Sequence, residues 1–97
     1  MRFVDKCKYE RIHFSIFDQL LRSATSIGAN VVEGGSGSTK KDFINCFHIA
    51  LKSANETKYW LCLIRDTIQV DKNKLEELLK EADELSKIIA AIVLKAK

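Results

Sequence analysis

Breaks in regular structure are scarce in this sequence of 97 residues. It has no proline and only four glycines, three of which lie in the run Gly34-Gly35-Ser36-Gly37. Because proline and glycine interrupt helices most strongly, only this run predicts an interruption. No apolar run approaches the roughly 20 residues that cross a bilayer, and the N-terminus lacks the apolar centre of a secretory signal. We therefore expect a soluble, cytoplasmic protein with no membrane partner.

Metal-binding residues are also few. The three cysteines form no CxxC pair, and only two histidines accompany them. If Cys46 and Cys62 share one helix, their sixteen positions correspond to about 24 Å of rise, too far for a disulfide. We expect no metal, no cofactor and free thiols.

Apolar residues recur with alternating steps of three and four, which places them on one face of a helix. The first such series is Phe17, Leu20, Ala24, Ile27 and Val31, and two further series extend from Phe43 to Ile68 and from Leu75 to Ala96. The repeat predicts an all-α fold, a helical bundle in a single domain over 1–97. Helices are predicted over 15–33, 39–69 and 72–96, after a short N-terminal segment, 1–14. The predicted N-caps are Ser15, Ser38 or Thr39, and Asp71.

The net charge of +3 comes from residues 1–41, which contain seven basic and four acidic residues, whereas the charges of the remaining residues balance. A modest basic excess attracts phosphate, although it is smaller than in dedicated nucleic-acid-binding domains. The predicted nucleic-acid contacts are Arg2, Lys6, Lys8, Arg11, Arg22, Lys40 and Lys41. The segment Gly34–Lys41 does not match a Walker phosphate loop, because Thr39 rather than glycine precedes Lys40. Ordinary surface charge is the alternative interpretation.

The segment Tyr59–Ile64 is apolar on every side of its helix, whereas a bundle core needs only one stripe. Trp60 and Leu63 lie off the seam. They indicate either a subunit interface, which we favour, or burial beneath residues 1–14.

A polar stripe runs beside the first apolar series. It consists of Arg22, Ser26, Asn30 and Glu33, and its predicted counterpart on the next helix includes Lys52 and Glu56. Such a stripe is expected to fix the register of packed helices through hydrogen bonds and ion pairs. A binding site in the same stripe is the alternative.

Three segments carry a family resemblance: Gln19–Gly34 (QLLRSATSIGANVVEG), Ser38–Phe43 (STKKDF) and Ile49–Glu56 (IALKSANE). They resemble the bacterial four-helix-bundle family that includes proteins encoded by intervening sequences in ribosomal RNA genes. The resemblance implies an antiparallel four-helix bundle, a ring-like homopentamer and no known catalytic activity. At fold level it extends to the accessory protein of diversity-generating retroelements, which partners a reverse transcriptase and binds nucleic acid. Relative to that family, we expect a shortened first helix, which is either truncated or cut by a start downstream of the natural one.

Two functions follow as hypotheses. The first is a non-enzymatic, oligomeric helical scaffold or accessory protein that contacts RNA or DNA through its basic surface. The second is a protein-binding module that recruits a partner such as a reverse transcriptase without touching nucleic acid. Catalysis on a small-molecule substrate is not expected, because His48 has no nucleophile placed with it.

Overall fold

Three α-helices form the part of the chain that the structure, a computed structural model, describes. This part comprises residues 3–37, 39–68 and 70–97, and the side chains within it from residue 11 onward. The helices are α1 (Phe3–Gly34), α2 (Lys40–Thr67) and α3 (Lys72–Ala96), and no strand occurs in these ranges. The all-α prediction is confirmed. None of the described helices is long and apolar enough to cross a membrane.

Side-chain caps begin α2 and α3. The backbone N–H of Asp42 donates to Oγ1 of Thr39 at 3.2 Å, and Asp71 accepts from the N–H groups of Asn73 and Lys74. These bonds satisfy amides that have no partner inside the helix. The predicted caps Thr39 and Asp71 are therefore confirmed, whereas Ser38 lies outside the described residues.

The start of α1 differs from the prediction. A short segment over 1–14 and a cap at Ser15 were expected, but α1 is continuous from Phe3, so Ser15 lies in its interior. The apolar residues before position 15 keep no helical period, yet no proline or glycine stops the helix. The other two helices were predicted over 39–69 and 72–96. Their observed bounds are Lys40–Thr67, shorter by one residue at the start and two at the end, and Lys72–Ala96, the same as predicted.

The four-helix count is not found: the described residues contain three helices. Ser23 of α1 lies against Thr57 of α2, and Gly34, later in α1, lies against Phe47, which comes before Thr57 in α2. Helices α1 and α2 are therefore antiparallel. Only two breaks interrupt the helices, which limits their number to three.

Helix α2 is the central element. Helix α3 also packs against α2 and is antiparallel to it. Lys58 of α2 contacts Asp83 of α3, whereas Arg65, later in α2, contacts Glu76, which precedes Asp83 in α3. No Cα atom of α1 lies within 8 Å of a Cα atom of α3 in the described chain. With Cα extents of 56 × 24 × 15 Å, the three helices form an open, elongated layer rather than a closed bundle.

Two apolar clusters hold this layer together. The first combines residues from all three helices, and the second lies nearer the turn between α2 and α3. Their buried members are Ile27, Phe47, Ala50, Ala54, Ile89 and Val93 in the first, and Leu61, Ile64, Leu75 and Ala82 in the second. Ala50 and Ala54 are fully buried, and their small size lets the flanking helices approach α2 closely.

Candidate functional site: an apolar groove and a divided basic surface

A groove of about 970 Å³ lies between α1 and α3, with α2 as its floor. One wall comes from α1 and includes Phe17, Leu21, Ala24, Gly28, Val31 and Val32. The other wall comes from α3 and includes Leu78, Glu81, Ala82 and Leu85, while Thr57 and Leu61 contribute to the floor. The groove exists because α1 and α3 both pack on α2 while their Cα atoms stay more than 8 Å apart.

Large apolar side chains stay in solvent along this groove. Leu21 is 62% exposed and Val32 is 72% exposed. Single exposed apolar residues are ordinary, but a contiguous apolar concavity marks a place where another molecule binds. Glu81 carries the only ionisable side chain among the lining residues.

The groove was not predicted from the sequence. The predicted core series of α1 included Phe17, Ala24 and Val31, and all three are exposed, whereas Ile27 is buried. Periodicity shows which helix face is apolar, but it cannot show whether a neighbouring helix covers that face. The sequence did contain one signal for the groove: the apolar face of α1 is wider than a helix contact needs, because Leu21, Gly28 and Val32 extend it on one side.

A row of hydroxyl groups joins α1 to α2 beside the groove. Ser53 Oγ donates to Ser26 Oγ at 2.8 Å, and Thr57 Oγ1 lies 3.0 Å from Ser23 Oγ. Asn30 extends the row, because its Nδ2 donates to the carbonyl of Ser26 at 2.9 Å. Every buried side-chain nitrogen and oxygen described has a hydrogen-bond partner. These bonds specify the register of the two helices at little cost in desolvation.

The predicted polar stripe is divided by the structure. Ser26 accepts from Ser53 of α2, and the half-buried Asn30 donates to Ser26 on its own helix. Arg22 is instead exposed and forms an ion pair with Asp18 at 3.0 Å. Glu33 is exposed near the end of α1, and its carbonyl accepts from Ser36 Oγ. The expected counterparts on α2, Lys52 and Glu56, are both exposed.

Hydroxyl residues take the place expected for charged ones on α2. Ser53 and Thr57 are buried against α1, one position along from Lys52 and Glu56. Small hydroxyl groups satisfy each other within a closely packed interface, whereas charged side chains would lose hydration there. Sequence spacing alone did not separate these neighbouring helical faces.

Trp60 and Leu63, the predicted subunit contacts, are half-buried within the single chain. Trp60 packs edge-to-face against Tyr59, with ring centroids 4.9 Å apart. The more exposed apolar surface belongs to the groove instead. A subunit interface through Trp60 and Leu63 stays a prediction.

The four predicted nucleic-acid contacts whose side chains are described do not form one patch. Arg11, Arg22, Lys40 and Lys41 are all exposed. The 23 positions from Arg11 to Gly34, where α1 ends, correspond to about 35 Å of helix, which separates Arg11 from the lysines that begin α2. The side chains of Arg2, Lys6 and Lys8 lie outside the described residues.

Ion pairs connect α2 to α3 on the surface. Lys58 Nζ lies 3.2 Å from Asp83, and Lys87 lies 3.0 Å from the same carboxylate. Hydrogen bonds from Lys87 and Lys58, in that order, lower the pKa of Asp83 below its ordinary value of 3.8. Arg65 similarly lowers the pKa of Asp66 through a direct hydrogen bond. All three contacts stabilise charged carboxylates in the folded chain, and the one between Lys58 and Asp83 joins α2 to α3.

Potential metal ligands are dispersed among the described side chains. No group of three His, Cys, Asp or Glu residues in this part of the chain is arranged to hold a metal ion. His48 is exposed on α2, and Cys46 and Cys62 are free and partly buried. The groove is therefore the feature whose shape and chemistry most specifically indicate a binding function.

Comparison with known proteins places the chain in a family. The family model described as 23S rRNA-intervening sequence protein matches residues 2–91. A crystal structure of a Bacteroides thetaiotaomicron protein of unknown function, from the S23 ribosomal protein family, is 41% identical with a TM-score of 0.76. The match covers 80% of this chain and 72% of that one. No curated protein is significantly similar to the chain. The matches in sequence and in fold agree, and the chain belongs to the 23S rRNA-intervening sequence protein family.

Proposed function

We propose that this protein is a non-enzymatic helical interaction module that binds a helix of a protein through the groove between α1 and α3. The observation that carries the proposal is the exposure of large apolar side chains on both walls of one concave surface. An apolar groove between two helices is a common receptor for an amphipathic helix.

The dimensions of the groove suit such a ligand. From Phe17 to Val32 the α1 wall is about 22 Å long, or about four helical turns. Because α1 and α3 are both antiparallel to α2, they run in the same direction. A helix seated between them in the opposite direction would complete an up-down-up-down bundle, which is the arrangement that helix dipoles favour.

The chemistry of the groove favours a protein ligand over a nucleic acid. The walls of the groove are apolar, and the one ionisable side chain among the lining residues, Glu81, is acidic. Phosphates would be repelled by Glu81 and would lose hydration against the apolar walls. Among the two hypotheses from the sequence, the protein-binding module therefore receives the stronger support. A reverse transcriptase is one candidate partner by resemblance alone.

Photo-crosslinking tests this proposal. The photoreactive residue p-benzoylphenylalanine replaces Leu21 in the groove, and in a matched variant it replaces Tyr59, which is 59% exposed outside the groove. We expect position 21 to form adducts with a polypeptide in cells and position 59 not to do so. Mass spectrometry identifies the linked peptide. If position 21 yields no polypeptide adduct in cells, the groove is not a protein-docking site.

RNA contact is a second candidate function. Lys40 and Lys41 are exposed in the first turn of α2, next to the glycine-rich turn, where the helix dipole also favours anions. The family description, which refers to 23S rRNA, supports the choice of RNA as the probe. This second candidate function includes assembly into a homo-oligomer, such as the pentamer that the resemblance implies. Several copies in one assembly would contact the RNA at several points.

A further inference from the structure

An acidic border along one side of the groove determines what kind of helix the groove receives. Glu77, Glu81 and Glu84 follow one another on α3 at steps of four and three, and all three are exposed. Glu81 lines the groove, and the other two lie one turn from it on the same side of α3. We propose that the ligand is an amphipathic helix of another protein, with lysine or arginine along the border that lies against α3. This inference rests on the proposed function, because it gives the chemistry of the helix that the groove binds.

The carboxylates of this border have few partners within the chain. Glu81 and Glu84 form no ion pair with another described side chain, and Glu77 has only a long contact, 3.9 Å, with Lys74. By contrast, Asp83, on the α2 side of the same helix, lies within 3.2 Å of two lysines. Like charges three and four positions apart repel each other on a helix. Cations supplied by a ligand would therefore relieve a repulsion that the chain leaves uncompensated.

The opposite border of the groove, on α1, carries no charge. It consists of Leu21, Thr25, Gly28 and Val32, again at steps of four and three. Ser23 of α1 and Asp83 of α3 contact neighbouring residues of α2, so the two borders lie at the same level of the groove. A ligand helix thus meets carboxylates on one side only. This asymmetry would fix how the ligand is rotated about its axis, because charge complementarity sets register.

The spacing of the carboxylates sets the spacing of the cations. From Glu77 to Glu84 the border is about 10 Å long, or about two helical turns. An antiparallel ligand with basic residues at steps of three and four would place one cation near each carboxylate. The chain as a whole has a net charge of +3, which disfavours basic ligands. Selection of a basic helix would therefore come from this border and not from the overall charge.

The binding of two designed peptides tests the proposal. Both are fluorescein-labelled helices of about 18 residues, or about five turns, with the same leucine face. The borders of that face carry lysine in one peptide and glutamine in the other. By fluorescence anisotropy, the wild type should bind the lysine peptide about tenfold more tightly at low salt, as exposed ion pairs allow, and the preference should decline as salt is added.

Charge-reversal variants locate the preference. Glu81→Lys/Glu84→Lys gives the border a net positive charge, so the preference for the lysine peptide should disappear or reverse. Asp42→Lys/Glu56→Lys is the matched control, because it changes the net charge equally at exposed positions of α2 outside the groove, and it should keep the preference. Circular dichroism confirms that each variant stays helical, and the salt dependence of the wild type needs no variant.

A variant of the apolar wall separates this proposal from the proposed function. Leu21→Asp should weaken binding of the glutamine peptide, because it places a carboxylate in the wall, whereas Leu94→Asp, outside the groove, should not. Equal binding of the two peptides by the wild type, or a preference that survives reversal of the border, overturns the basic helix. Weakening by Leu21→Asp would then leave the proposed function intact. If neither peptide binds, the basic helix is also overturned, but a polypeptide adduct at position 21 in cells would still support the proposed function.

Discussion

The hydroxyl oxygen of Thr57 on α2 lies 3.0 Å from that of Ser23 on α1, and both residues are buried at the junction of the two helices. Thr57 is also within 2.8 Å of the Ser53 carbonyl on its own helix. A single hydroxyl proton thus serves one acceptor within α2 or one across to α1. The contact between Thr57 and Ser23 therefore helps to fix the register of α1 against α2. Because α1 forms one wall of the groove, it also helps to fix the position of that wall.

Thr57→Val removes this hydroxyl while keeping the shape of the side chain. We expect a loss of about 1 kcal/mol in the free energy of unfolding, because Ser23 stays buried with less hydrogen bonding. Urea denaturation followed by circular dichroism measures the loss. Thr25→Val is the control, since Thr25 is exposed and bonds to carbonyls of its own helix. Equal effects of the two substitutions would show that the contact with Ser23 contributes nothing.

Gly34 provides a second test of the α1–α2 junction. A Cβ atom added there would lie 2.9 Å from the ring of Phe47 and 3.0 Å from Cβ of Cys46. Gly34→Ala should therefore lower the free energy of unfolding by about 1–3 kcal/mol, as overpacking does. Gly28→Ala should instead raise it by up to about 1 kcal/mol, because that site is open and alanine is the better helix former. Thermal unfolding of both variants at low protein concentration distinguishes the signs, and stabilisation by Gly34→Ala would contradict the packing.

The carboxylate of Asp83 makes stability depend on pH. Lys87 and Lys58 lower its pKa below 3.8 in the folded chain, so its contribution is present above that value and is lost as pH falls through the folded pKa. We expect Asp83→Asn to be less stable than the wild type near neutral pH, with the difference shrinking as the pH is lowered below about 4. Glu84→Gln, on the same helix, corrects for the loss of one charge. A difference that stays constant from neutral pH to acid would contradict this role.

RNA contact through the start of α2 predicts a dependence on salt. The double variant Lys40→Glu/Lys41→Glu should bind a structured RNA more weakly and show a shallower decrease of affinity with salt than the wild type. Lys80→Glu/Lys95→Glu, which changes the charge equally on α3, should bind more like the wild type. Fluorescence anisotropy over a range of salt concentrations measures both slopes. Salt-independent affinity, or equal weakening by both pairs, would remove RNA contact at this site.

Some parts of the fold followed from local sequence signals. The helical period, the break at Gly34–Gly37, and the caps at Thr39 and Asp71 are local features, and each was predicted correctly. The extension of α1 back to Phe3 was missed because the apolar residues before position 15 keep no helical period. Absence of helix-breaking residues was the better guide there.

The site required information that lies between helices. The sequence indicated that Phe17, Ala24 and Val31 share an apolar face, but only the placement of α1 and α3 on opposite sides of α2 shows this face to be open. Likewise, Ser53 and Thr57 could not be preferred over Lys52 and Glu56 until the rotation of α2 was known. Both results depend on how whole helices are positioned.

Hydroxyl-radical footprinting tests most directly whether a helix covers the groove. The oxidation of Leu21 and Val32 is measured in an extract of cells that make the protein at its natural level, and again after purification and dilution. We expect both residues to be protected in the extract and to become reactive on dilution, while Leu94 reacts equally in both. If Leu21 and Val32 are as reactive in the extract as in the diluted protein, the groove is open to water and does not dock a helix.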